Sequence, residues 1–181
     1  MRKPKPHPFR VVVVSENDTA AVRAQELSTR LASRLKGAFR LRCAHWNFAM
    51  LELEPMRDQA AKEAIVAEMV IISAQWAGDL PATVKRWAEN WSSHKRGHFS
   101  ALVALVNPKA AADLHPRPLC SYLRTLAEEN GMDFFTNEEC VASDRYSSAE
   151  AGFAHWREHR PSERRGGLQL HGASRAGGLY D

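Results

Sequence analysis

The chain has 181 residues and a formal net charge of +4, and 44% of its residues are hydrophobic while 25% are charged. These values predict one globular domain and exclude collagen-like, coiled-coil and wholly disordered chains. The apolar runs are much shorter than the ~20 residues that cross a membrane, so no membrane partner is expected. The basic start has no signal-peptide core after it, and three separated cysteines give no disulfide framework, which together predict a cytoplasmic protein.

The two ends of the chain differ from its middle in charge and in proline and glycine content. Residues 1–10 carry four basic and no acidic side chains, and residues 151–181 carry five arginines against three acidic residues. The proline-rich start predicts an extended arm over 1–9, and the glycines of 161–181 predict a loose tail, which leaves a domain at 10–160. Because the basic charge belongs to the ends, the sequence gives little reason to expect a nucleic-acid partner.

The first half of the domain alternates strand and helix. Residues 11–14 are four valines, apolar on both faces, which is typical of a central parallel strand. Residues 17–19 offer N-cap side chains to a helix that Gly37 would end. An edge strand is predicted over 39–48, where one face is polar, and an amphipathic helix over 55–67.

The same alternation continues through the second half. Strands are predicted at 69–73, 101–106 and 133–136, and helices at 80–91, 118–130 and 148–157. Strict alternation predicts an α/β fold with helices on both faces of a parallel sheet. Five strands correspond to a flavodoxin-like three-layer sandwich, in which ligands bind at the carboxyl ends of the strands.

The segment 67–91, AEMVIISAQWAGDLPATVKRWAENW, is the most informative part of the chain. It resembles the central segment of the NAD(P)H-dependent FMN reductase family. In that family a strand ends in a Thr/Ser-Pro-Glu-Tyr-x-Gly-Ser-x-Pro-Gly loop, and the helix after it contains Leu-Lys-Asn and an acidic-Trp pair. The matching positions here are Ser73, Gln75, Trp76, Gly78, Leu80, Pro81 and Lys85, with Gln75 in place of the glutamate and Trp76 in place of the tyrosine.

The resemblance implies noncovalent FMN and hydride transfer from NAD(P)H through the flavin to a quinone, flavin or similar acceptor. A glycine at this turn allows close approach to a flat ring, and an aromatic side chain beside it can cover a ring face. No protein acid, base or metal is required. The resemblance assigns flavin-ring contacts to Gln75, Trp76, Ala77 and Gly78, phosphate contacts to Ser15, Asn17 and Thr19, and a further contact to Asn107.

The first loop also supports a different hypothesis. It contains Glu16 and Asp18 and no glycine, and the loop from Asn107 lacks glycines as well. A carboxylate ~4 Å from a phosphate opposes binding by about 4 kcal/mol at an effective dielectric of ~20, whereas an exposed helix amino end favours an anion by only about 0.3–1 kcal/mol. If these carboxylates face the site, the chain is a flavodoxin-like binding or assembly module that has lost FMN and redox activity. If they point outward, phosphate binding remains feasible, and Arg23 could compensate their charge.

Three further features have two interpretations each. Trp76 and Gly78 could belong to the core and to a plain helix start instead of a flavin site. Trp87 and Trp91 lie four residues apart; the resemblance suggests a homodimer interface there, and the alternative is an aromatic pair that covers the sheet. The histidines at 94 and 98 have metal-ligand spacing, but without an evident third ligand they are expected at the surface.

Overall fold

The fold was analysed in a computed structural model that describes residues 7–34, 39–76, 78–111 and 117–137. The first six residues of the predicted arm, the expected helix end at Gly37, the helix at 148–157 and the tail at 161–181 lie outside these residues. Five strands are described: β1 His7–Ser15, β2 Phe39–Asn47, β3 Met69–Ala74, β4 Ala101–Val106 and β5 Asp133–Thr136. The α-helices are α1 Asp18–Arg34, α2 Phe48–Glu52, α3 Glu54–Val66, α4 Ala82–Ser92, α5 Pro108–Ala111 and α6 Pro118–Glu129, with a short 3-10 helix at Ser93–Lys95.

The five strands form one parallel sheet in the order β2-β1-β3-β4-β5. This order is the flavodoxin-like arrangement, and it confirms the predicted α/β class. The chain moves from β1 to the edge strand β2 and then returns to β3 on the other side of β1. The topological switch point therefore lies between β1 and β3, because the chain runs from these two strands to opposite sides of the sheet.

The valine run shows how the sheet divides the core. Val12 and Val14 belong to the hydrophobic cluster that contains the buried side chains of α3, α4 and α6. Val11 and Val13 belong to the cluster that contains Leu27 and other buried side chains of α1. Since successive strand residues point to opposite faces, one apolar run supplies both cores, and the predicted three-layer arrangement is confirmed.

Two of the differences from the predicted element boundaries concern the strands at this side of the sheet. The second strand ends at Asn47 instead of Phe48, because the Asn47 side-chain oxygen accepts a hydrogen bond from Met50 N at 2.8 Å and so begins α2. The first strand begins at His7, before the valines, and Phe9 is buried within it. Among the described residues, no helix is both long and apolar enough to cross a bilayer.

Candidate functional site

The loops after β1 and β3 meet at the switch point, and Glu16 joins them. Its backbone N–H donates to Ser73 O at 2.9 Å, and its carboxylate accepts a hydrogen bond from Gln75 N at 2.5 Å. Glu16 is half-buried, whereas Asp18 is exposed in the first turn of α1. The question that the sequence left open is therefore answered separately for each carboxylate: Glu16 faces the crevice, and Asp18 faces solvent.

Arg23 reaches the same place from α1. Its guanidinium donates to Ala74 O at 3.0 Å and to the Gln75 side-chain oxygen at 3.1 Å. Burial lowers the pKa of Arg23, while the neighbouring Glu26 and Glu16 raise it. Together, Glu16 and Arg23 place three hydrogen bonds on the two residues that precede Trp76. We call the side chains of Glu16, Arg23 and Gln75 the crevice network.

Two of the three residues expected to hold a phosphate make hydrogen bonds within the fold. Ser15 is buried, and its hydroxyl donates to Trp46 O at 3.3 Å on the neighbouring edge strand. The Asn17 side-chain oxygen accepts from Ala20 N at 3.0 Å, so it caps α1. Thr19 is exposed on the first turn of α1. The phosphate role of these residues stays a prediction.

The loop after β3 presents an indole to solvent. Trp76 is 63% exposed, so the interpretation that places it in the core is wrong. Gly78 is half-buried, and a Cβ added there would meet nothing within 4 Å, so the space on that side of its backbone is open. Ala77 lies outside the described residues. The loop continues with Asp79, whose carboxylate lies 2.6 Å from Lys85 Nζ, a hydrogen-bonded pairing that lowers the pKa of Asp79.

Asn107 begins the loop after β4 and caps a short helix. Its side-chain oxygen accepts from Lys109 N at 3.1 Å. The amide of Asn137 makes two hydrogen bonds to the last residue of β4: its oxygen accepts from Val106 N at 3.0 Å, and its nitrogen donates to Val106 O at 2.8 Å. Sequence reasoning missed Asn137; an amide side chain directly after a predicted strand was the feature that could have indicated it.

A second polar cluster lies at the opposite, amino edge of the sheet. Lys95 is 2% exposed, and its Nζ donates to Ile65 O at 2.9 Å and to Ala67 O at 2.5 Å, at the carboxyl end of α3. Burial lowers the pKa of Lys95 to about 8, against the opposing effect of Glu68. The ammonium satisfies carbonyls that the end of a helix leaves unpaired. This cluster holds α3 in place and is separate from the crevice.

The tryptophan pair of α4 belongs to the core. Trp87 and Trp91 are 1% and 0% exposed, and their ring centroids lie 5.6 Å apart. Their burial agrees with the interpretation that the tryptophan pair covers the sheet. A homodimer through α4 stays a prediction, and it would have to use the exposed side chains of this helix. His94 and His98 are exposed as expected, and within the described ranges no group of three metal-ligating side chains occurs.

Comparison with known proteins gives a similar structure but no family. No family model matches the chain, and no curated protein matches it. A solved structure of a short-chain flavodoxin associated with a bacterial microcompartment is similar, with a TM-score of 0.44 and 8% sequence identity over 71% of this chain and 78% of that chain. The flavodoxin-like assignment made above stands on the strand order of the sheet itself.

The crevice network does not fit the phosphate of FMN. Glu16 lies between Ser15 and Asn17, in the loop where the resemblance expects the phosphate, and its carboxylate also holds the Gln75 N–H, which the resemblance assigns to the ring. Arg23, a cation that could bind phosphate there, has its guanidinium bonded to Ala74 O and the Gln75 side chain. The ring side is more open, because Trp76 is exposed and the space beside Gly78 is free. An FMN ring could therefore be covered by Trp76, whereas an FMN phosphate would lie near the carboxylate of Glu16.

Proposed function

We propose that this chain is a flavodoxin-like binding module without FMN-dependent redox activity, and that the loop carrying Trp76 is its contact surface. The observation that carries the proposal is the hydrogen bond from Gln75 N to the Glu16 carboxylate across the switch point. A phosphate held by Ser15, Asn17 and Thr19 would lie in the loop that carries Glu16. A carboxylate about 4 Å away costs a phosphate about 4 kcal/mol at an effective dielectric of ~20, so Glu16 would oppose binding.

The crevice network also gives Trp76 a defined position. Glu16 and Arg23 fix the backbone and side chain of Gln75, the residue before the indole. An exposed tryptophan on a loop that is fixed before it meets its ligand loses little conformational freedom on binding. Tryptophan is also among the residues that contribute most to binding surfaces.

The proposal is tested by mixing the purified protein with FMN and separating bound from free flavin by gel filtration. NADH and NADPH oxidation are then measured in the presence of excess FMN and a quinone. We expect no retained yellow chromophore at tens of micromolar protein and no nicotinamide oxidation above the rate of free FMN. Stoichiometric FMN retention together with FMN-dependent turnover would overturn the proposal.

The second candidate is an NAD(P)H-dependent FMN reductase. It is favoured by one observation, the exposed Trp76 beside the open space at Gly78. In that case FMN must displace the Glu16 carboxylate from Gln75 N, and Ser15, Asn17 and Thr19 must exchange their present environments for a phosphate. The same experiment separates the candidates, because only the reductase retains FMN and oxidises NADH or NADPH.

A further inference from the structure

The strand β2 has no strand neighbour on its outer side among the described residues. It is the first strand in the order β2-β1-β3-β4-β5, and it is nine residues long, whereas β5 at the other edge has four. Such an edge presents a row of backbone N–H and C=O groups at the spacing that a further extended chain requires. The outer side of β2 is therefore a place where a strand can be added.

Three arginines lie on one face of the sheet beside this edge. Arg42 pairs with Arg10 between β2 and β1, and Arg40 lies two positions before Arg42. They share the face of Val12 and Ala44, and all three are exposed. Paired positions lie about 4.8 Å apart and alternate positions about 6.6 Å apart, so the three cations form one surface. We call the side chains of Arg10, Arg40 and Arg42 the β2 basic face.

The charge of the β2 basic face is largely unbalanced. Within the described part of the chain, none of the three guanidiniums makes a hydrogen bond or an ion pair. The acidic neighbour is Glu68, which is half-buried and whose carboxylate accepts from the Arg10 backbone N–H at 2.6 Å. One carboxylate against three exposed cations leaves the surface basic, and complementary charge on a partner is what it favours.

The arginines oppose a second copy of this chain at the edge. Two β2 strands paired about an axis perpendicular to the sheet would bring both sets of arginines to the same face of the joined sheet. Like charges on neighbouring strands are destabilising, and charged side chains on edge strands commonly prevent such pairing. The partner that fits is therefore of opposite charge.

An extended peptide satisfies the edge better than a nucleic acid does. Phosphate groups accept hydrogen bonds but donate none, so they would leave the C=O groups of the edge unpaired. A peptide strand offers donors and acceptors, and its side chains recur on one face at every second residue. Arg40 and Arg42 have the same two-residue repeat along β2. Carboxylates at alternate positions of an added strand would lie beside them.

We infer that the edge of β2 binds an extended acidic peptide segment as an added strand, with carboxylates at alternate positions against the β2 basic face. This face lies toward the amino ends of β1 and β2, whereas Trp76 follows the carboxyl end of β3. The inference thus adds a second contact surface to the proposed binding module and does not depend on the first.

The probes are two synthetic peptides of threonine and glutamate, each as long as β2 and of equal composition. In one peptide the two residues alternate, and in the other the glutamates are contiguous. Fluorescence anisotropy of the labelled peptides measures binding to the full chain. We expect the alternating peptide to bind about tenfold more tightly, because only its carboxylates all share one face. An alternating threonine–lysine peptide should not bind at the same concentrations.

Backbone pairing has a measurement of its own. The alternating peptide is N-methylated either at its glutamates or at its threonines, which removes alternate sets of N–H donors. Since alternate residues of a strand direct their N–H groups to opposite sides, one methylated peptide should lose about tenfold in affinity and the other should bind nearly as well as before. Equal affinities of the two would show that no strand is added and would overturn the inference.

The double variant Arg40→Gln/Arg42→Gln should weaken the alternating peptide about tenfold, because charge-assisted contacts to its carboxylates are lost. The matched control is Arg86→Gln/Arg96→Gln, which removes two exposed arginines from α4 and from the turn after the 3-10 helix. It should change the affinity less than twofold. Circular dichroism checks that both variants retain the fold.

Three further results would overturn the inference: no binding of the alternating peptide by the wild-type protein, equal weakening in the two double variants, or tighter binding of a single-stranded oligonucleotide of equal charge. The last result would assign the β2 basic face to nucleic acid. FMN retention and nicotinamide oxidation test the proposed function separately, so the two failures are distinguishable.

Discussion

The loop after β3 and the helix that follows it use the same kind of side chain in opposite environments. In the loop, Trp76 is 63% exposed, while on α4 Trp87 and Trp91 are 1% and 0% exposed. The loop is fixed by polar contacts from Glu16 and Arg23, whereas α4 is fixed by the burial of its aromatic face. Both regions belong to the segment 67–91, yet one can contact a ligand and the other cannot.

The difference shows that the tryptophans of one segment do not share one role. The sequence places one of them near Gly78 and two on the helix, and the tertiary fold decides which remains accessible. Substitutions on α4 should therefore change stability, and those in the loop should change binding. Four predictions test this division, from the largest expected effect to the smallest.

Trp91→Ala should cost about 3–5 kcal/mol of unfolding free energy, because it leaves a cavity under α4 where the side chain is 0% exposed. Its indole N–H has no hydrogen-bond partner within the described part of the chain, so Trp91→Phe should restore most of that loss. Urea unfolding followed by circular dichroism measures both variants. A loss below about 1 kcal/mol for Trp91→Ala would contradict the assignment of this side chain to the core.

Lys95, which lies just after α4, should make the unfolding free energy of the protein depend on pH. Its pKa is 10.5 when unfolded and about 8 when folded, so between these values the unfolded state binds more protons. Unfolding free energy should therefore rise with pH from 8 to 10.5, by up to about 1.4 kcal/mol per pH unit for this one proton. Lys95→Met lacks this contribution. The difference in unfolding free energy between the wild-type protein and this variant should therefore change between pH 8 and 10.5. Parallel pH profiles would show that the ammonium is not buried.

Tyr122→Phe tests the outer side of α4. The Tyr122 hydroxyl lies within donor distance of two acceptors, Glu89 Oε1 at 3.0 Å and Lys85 O at 3.3 Å, and burial raises the pKa of this phenol above its usual value. Removing the hydroxyl should cost about 1 kcal/mol, as for a typical hydrogen bond. Thermal unfolding at pH 7 gives the value. A loss as large as that of Trp91→Ala would mean that polar contacts hold α4 as strongly as its aromatic face does.

Trp76→Ala should change unfolding free energy by no more than about 0.5 kcal/mol, because the side chain is mostly in solvent. The same urea experiment measures it next to Trp91→Ala, which serves as the matched tryptophan control. A loss of several kcal/mol would remove the distinction between the two regions and return Trp76 to a structural role. A small loss would confirm that Trp76 contributes little to the core.

Much of the fold was predictable from local patterns. The strands β3 and β4 are short apolar runs, buried along their whole length, and the alternating exposure of β2 identifies an edge strand. The position of Trp76 was correctly narrowed to a strand–helix loop. Its exposure was not predictable, because a tryptophan next to a glycine and a proline fits a core and a surface equally well. Asn137 and Lys95 were missed, since their partners lie on other elements.

Sequence by itself determined the order of strands and helices and therefore the parallel α/β class, because these depend on residues a few positions apart. It also located two carboxylates beside the first strand. Only the tertiary structure decided that Glu16 crosses to Gln75, 59 positions away, while Asp18 turns to solvent. The direction of a side chain at a loop depends on which distant backbone groups the fold brings within hydrogen-bond distance, and no local pattern contains that information.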